Sequence, residues 1–120
     1  MNAPVSPLTD QADELLSTLY ARLREPNVKM ATFRTRNGRQ MVLIRQARND
    51  IFIWVECHEP SLGGVHINNQ KHPGQPYSPE QPRAAIGTHC KNLGVGNEAY
   101  YLKCDTLGAL ERFARWYDTA

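Results

Sequence analysis

The residues with the clearest chemical potential lie between Val28 and Asn49. That run holds six basic side chains, Lys29, Arg34, Arg36, Arg39, Arg45 and Arg48, and no acidic one. A patch of one sign attracts anions and acidic surfaces. Phe52 and Trp54 follow within a few residues. Guanidinium groups beside flat aromatic rings are what a sheet uses to hold single-stranded nucleic acid or RNA. Arg45 beside Trp54 would add a cation–π pair of roughly 0.5–2 kcal/mol. Lys71, Arg83 and Lys91 extend the positive charge into a later segment. The candidate nucleic-acid or anion site is therefore Arg34, Arg36, Arg39, Arg45, Trp54, Lys71, Arg83 and Lys91. Tyr77, His89 and Asn92 are further polar groups of that segment, the kind of loop where binding residues concentrate.

Other chemistries are represented more thinly. Cys57, His58, His66, His72, His89 and Cys90 are zinc-binding types, with Cys57, His58, His89 and Cys90 as the metal candidates. They show no C-x₂-C, H-x₃₋₅-H or H-E-x-x-H spacing, and adjacent residues on a strand point to opposite faces, so no metal centre is assigned. Asp50, Glu56 and Glu59, with distant Lys71, are the acids and base open to a metal-dependent nuclease, but a second acid on a neighbouring strand is lacking. Ser61 or Cys90 with His66 or His89 could form a nucleophile pair, yet no G-x-S-x-G elbow supports it. Asn92-Leu93-Gly94-Val95-Gly96-Asn97 precedes a strand rather than opening a helix, so the phosphate-on-helix mechanism does not apply. At most, Lys91 and these amides would hold a phosphate beside the arginines.

The elements that must position these groups follow from periodicity. From Thr9 or Asp10 an amphipathic helix is expected, with Ala12, Leu15, Leu16, Leu19, Tyr20 and Leu23 on one face and Pro26-Asn27 as its stop. A three-stranded antiparallel meander follows: Val28 to Arg36, Arg39 to Arg48, Ile51 to Cys57. Asn37-Gly38 and Asn49-Asp50 are read as two-residue turns, the first a strong type I′ signal. That register places Arg34 opposite Met41 and Arg45 opposite Trp54. Ala31, Phe33, Val42, Ile44, Ile51, Ile53, Val55 and Cys57 then share the core face. Arg34, Arg36, Arg39, Arg45, Met30, Met41, Leu43, Phe52, Trp54 and Glu56 share the other.

His58 to Asn97 is rich in glycine and proline, with room for an edge strand at Gly64 to Ile67 and a short helix from Ser78 to about Ile86. A last strand, Glu98 to Cys104, leads through Thr106 into a helix with Leu107, Leu110, Phe113, Ala114 and Tyr117 on its apolar face. The expected fold is α+β, with both helices on one face of an antiparallel sheet. Residues 1–8 read as a flexible arm and residues 9–120 as a single domain.

Composition bounds the function. The 120 residues carry a net charge of +2, 41% hydrophobic and 22% charged residues, ordinary values for a globular chain that needs neither disulfides nor metal. The longest apolar run, Ile51 to Val55, is too short to cross a bilayer, so no membrane partner is expected. The opening residues have no basic and apolar leader pattern, and no secretory signal is expected. Three cysteines fit a reducing, cytoplasmic setting. The preferred reading is a small non-catalytic module that binds the nucleic-acid backbone, without a cofactor. The alternatives are a protein-interaction module (an inhibitor or a homodimer, or one meeting an acidic partner) on the same face, and a metal-dependent enzyme built on the His/Cys loop.

Overall fold

A computed structural model of the chain describes residues 7–23, 30–45, 50–58, 62–71, 93 and 99–119, with the side chains of 7 and 68–71 excepted. In chain order the elements are α1 (Pro7–Leu19), β1 (Ala21–Arg22), β2 (Met30–Arg34), β3 (Gln40–Ile44), β4 (Ile51–Val55), β5 (Val65–Lys71), β6 (Ala99–Cys104) and α2 (Leu107–Tyr117). The six strands form one antiparallel sheet in the order β1-β2-β3-β4-β6-β5. Both helices pack on the same face. Ala12, Leu16 and Tyr20 of the first and Leu110, Phe113, Ala114 and Tyr117 of the second join Phe33, Met41, Leu43, Ile53 and Leu102 in one buried cluster. This is the α+β arrangement expected from the pattern.

Local chemistry explains several element ends. Thr106 Oγ1 accepts the Ala109 N–H at 3.0 Å and caps α2, as its position before an apolar run implied. The first helix starts earlier than expected, at Pro7, because proline is tolerated in the first turn where its missing N–H has no helical partner. It also ends earlier, at Leu19. Tyr20 is buried and donates its hydroxyl to the Ala114 carbonyl, and the chain then turns into β1, which pairs Ala21 with Arg34 and Arg22 with Phe33. Leu23 N–H continues the ladder to Thr32 O at 3.0 Å.

The meander exists, but both of its registers differ from the two-residue turns. Between β2 and β3, Arg34 faces Gln40 and Phe33 faces Met41, one residue away from expectation. Gly38 N–H bonds Thr35 O at 3.1 Å, Thr35 N–H bonds Arg39 O at 2.8 Å, and only Gly38 has a positive φ, +88°. The loop is thus a three-residue one, a tight turn closed by a glycine bulge, not a type I′ turn, which needs a positive φ at Asn37 as well. Thr35 reinforces it by accepting the Arg39 N–H on its hydroxyl at 3.0 Å.

Between β3 and β4, Val42 faces Trp54 and Leu43 faces Ile53, a shift of three. Both shifts are odd, so β3 alone turns over while β2 and β4 keep their expected faces. Met41 and Leu43 enter the helix-side core; Val42 lies in a second cluster with Met30, Trp54, Leu93 and Ala99, packed by Leu23, Ile44 and Tyr101. The far side of the sheet is therefore apolar and covered in part, with Leu93 of the long connection buried against it. The edge strand expected at Gly64 to Ile67 is present as β5, longer, and bulged between Ile67 and Asn69. The helix expected from Ser78 lies outside the described residues.

Candidate anion site at the β2–β3 corner

The expected row of four guanidinium groups beside an indole is not what the strands build. Trp54 is 0% exposed, its ring stacked on Tyr101 with centroids 4.7 Å apart, and Tyr101 continues to Phe52 at 5.3 Å. Burial pushes the Tyr101 phenol up to about 12. The indole belongs to the second core cluster rather than to an open stacking platform. Arg45 does not face it. With β3 turned over, Arg45 reaches the helix side, where its guanidinium lies 4.0 Å from Asp10.

The described arginines divide by what they meet. Arg22 pairs with Asp13 at 3.0 Å and covers the Phe33 ring at 5.1 Å. Arg39 lies 3.7 Å from Glu56, Arg112 donates to Gly63 O at 3.2 Å, and Arg115 pairs with Glu111 at 3.1 Å. Arg34 and Arg36 are both exposed, and neither side chain has a carboxylate partner among the described residues. Both line one open hollow of about 540 Å³ with Ala21, Thr35, Asn37 and Gly38. The three-residue turn creates this hollow. Two-residue β1 shields β2 only as far as Arg34, and the bulge carries Arg36 out beyond the ladder.

The corner is held from the opposite end of the chain. The backbone N–H of Arg36 donates to Asp118 Oδ1 at 2.7 Å, and Asp118 closes the last turn of α2 through its own N–H to Ala114 O at 3.1 Å. Asn37 Nδ2 approaches Tyr117 O at 3.5 Å. A smaller hollow of about 210 Å³ is also lined by Arg36, together with Thr18, Leu19, Tyr20, Ala114, Arg115 and Asp118. Asp118 and Arg115 carry no sequence signal toward this place, because they reach it through helix packing from some eighty residues away.

The remaining candidates are not gathered here. Lys71 ends β5 at the opposite edge of the sheet; four strand spacings separate β5 from β2, roughly 19 Å. Arg83 and Lys91 lie outside the described residues, as do the metal candidates His89 and Cys90. Cys57 is half-buried, its thiol pushed up chiefly by burial, with Arg39 opposing that shift; His58 packs its ring near Tyr100. No three His, Cys, Asp or Glu side chains come together among the described residues. Asp50 and Glu56 flank opposite ends of β4, and each is engaged, with Lys103 at 3.5 Å and with the Gln40 N–H at 2.5 Å. His66 meets Asp105 at 2.8 Å, an exposed pair joining β5 to the start of α2. Among the described residues no helix is long and apolar enough to cross a membrane.

Compared with known protein families, curated proteins and solved structures, the chain matches none.

Proposed function

We propose that this chain is a small non-catalytic module that grips the phosphate backbone of a nucleic acid at the corner made by the β2–β3 loop. One observation carries the reading: Arg34 and Arg36, two residues apart, line a single open hollow while the other described arginines are engaged elsewhere. A guanidinium already beside a carboxylate gains little from a second anion, whereas an unpaired one offers charge and a two-pronged donor set that matches phosphate. With Trp54 in the core, the proposed recognition rests on charge and not on base stacking. Affinity then comes from counterion release and falls steeply with salt.

The test is fluorescence anisotropy with labelled single- and double-stranded oligonucleotides at low and moderate salt. Binding at low salt that weakens as salt rises, and that is lost in the Arg34→Ala/Arg36→Ala double variant, supports the proposal. Absence of binding at low salt, or full binding by the double variant, refutes it.

A further inference from the structure

Arg36 borders two hollows, and the second differs from the first in charge. The larger presents Arg34 and Arg36. The smaller presents Arg36, Arg115 and the Asp118 carboxylate over an apolar floor of Leu19 and Ala114. Tyr20, at the same place, is already committed, its hydroxyl donating to Ala114 O. Asp118 Oδ1 is held by the Arg36 N–H at 2.7 Å, which leaves Oδ2 as an acceptor with no hydrogen bond of its own among the described residues.

This mixture excludes simple ions. A second phosphate in the smaller hollow would meet the Asp118 carboxylate, and a bare cation would meet the positive charge of Arg36 and of Arg115, the latter already paired with Glu111 at 3.1 Å. A neutral group that both donates and accepts satisfies each wall, donating a hydrogen bond to the carboxylate and accepting one from a guanidinium. A sugar hydroxyl is such a group, and carboxylates recognise ribose through this contact. Arg36 lines both hollows and its N–H holds Asp118, so the sugar of a phosphate held on Arg34 and Arg36 extends toward that carboxylate.

We infer that the corner selects ribonucleotides, with the 2′-hydroxyl of the sugar following the bound phosphate donating to Asp118. This rests on the phosphate-backbone reading and names the polymer class that the site prefers. The 2′-hydroxyl is the group by which a protein tells RNA from DNA at one position.

The experiment compares three labelled oligonucleotides of one sequence and length, in ribo, deoxyribo and 2′-O-methyl form, by anisotropy at one low salt concentration. The ribo form binds on the order of tenfold more tightly than the deoxyribo form, the size expected of one hydrogen bond to a charged acceptor. The 2′-O-methyl form, which keeps an acceptor but no donor, behaves like the deoxyribo form. Asp118→Asn keeps a carbonyl oxygen for the Arg36 N–H, replaces the charged acceptor with a neutral amide and lowers the ratio several-fold, with deoxyribo affinity unchanged or higher. A circular-dichroism spectrum and urea midpoint matching the parent show that this variant is folded. Equal binding of ribo and deoxyribo forms by the parent protein overturns this inference alone, as does an unchanged ratio in Asp118→Asn. Absence of binding by all three forms overturns the phosphate-backbone reading with it.

Discussion

The Tyr117 phenol donates to the Gln40 carbonyl at 2.6 Å, tying the last turn of α2 to the first residue of β3. The same oxygen accepts the Glu56 N–H at 2.8 Å, and Glu56 returns a carboxylate to the Gln40 N–H at 2.5 Å. One fully buried side chain thus joins a helix to β3 and to the residue that follows β4, at the end of the sheet that carries the arginine corner. Tyr117→Phe keeps the ring and removes both bonds. The expected loss is about 1–3 kcal/mol, seen as a lower urea midpoint with unchanged slope. An unaltered midpoint would show that these bonds add nothing to stability.

Buried phenols and a thiol make the fold sensitive to alkali. Burial raises Tyr101 from 10.0 to about 12 and Cys104 from 9.0 to about 12, and raises Tyr20 and Tyr117 further. These groups keep their protons in the folded chain at pH values where the unfolded chain has lost them. Their contribution is therefore complete below about pH 9 and declines as pH climbs toward 12 and beyond. Urea midpoints measured from pH 8 to 11 should fall progressively. Tyr101→Phe should flatten the decline by up to about 1.4 kcal/mol per pH unit. A level profile up to pH 11 would contradict this account.

Gly38 and Gly64 both hold positive φ, at +88° and +79°, but only one is crowded. A Cβ on Gly38 meets nothing within 4 Å, whereas a Cβ on Gly64 falls 2.9 Å from the Ala109 Cβ at the start of α2. Gly38→Ala should cost about 1–2 kcal/mol for the backbone alone. Gly64→Ala should cost more, and adding Ala109→Gly should recover the excess after subtracting that change's own helix penalty of about 1 kcal/mol. A double-mutant cycle with no coupling would remove the clash from the explanation.

Trp54 provides a direct reading of the second core. Full burial predicts a blue-shifted emission resistant to iodide quenching in a Trp116→Phe background, and a loss of about 3–5 kcal/mol for Trp54→Ala. Red-shifted, readily quenched emission would return the indole to the surface.

That residue also marks where the sequence stopped being legible. Residues 40–44, Gln-Met-Val-Leu-Ile, are apolar at four consecutive positions, so they contain no alternation to say which face is inward. Register had to come from the turns. Asn-Gly fits a three-residue loop with one positive φ as well as a two-residue loop with two, and that one-residue difference turns β3 over. In contrast, Ala99–Cys104 alternates, which separates Leu102 and Cys104, on the helix side of the sheet, from Ala99 and Tyr101 in the second cluster. Both helices were readable from their spacing and α2 from its cap. The hollow was readable only in part, because Arg34 and Arg36 are local to the turn while Asp118 arrives by packing. The acid-free run likewise concealed that Asp10 and Glu56 would engage two of its arginines.

The division between engaged and unengaged arginines can be separated from total charge by the salt dependence of binding. Each unpaired guanidinium that meets a phosphate releases about one counterion, so Arg34→Ala and Arg36→Ala should each lower the slope of log K against log salt by about one. Arg45→Ala and Arg39→Ala remove the same formal charge, but from side chains already beside Asp10 and Glu56. Their slopes should stay close to that of the parent protein. A diffuse basic surface would instead make all four substitutions equivalent. Parallel slopes for the four variants would therefore remove the corner from the binding site, even if every one of them bound more weakly.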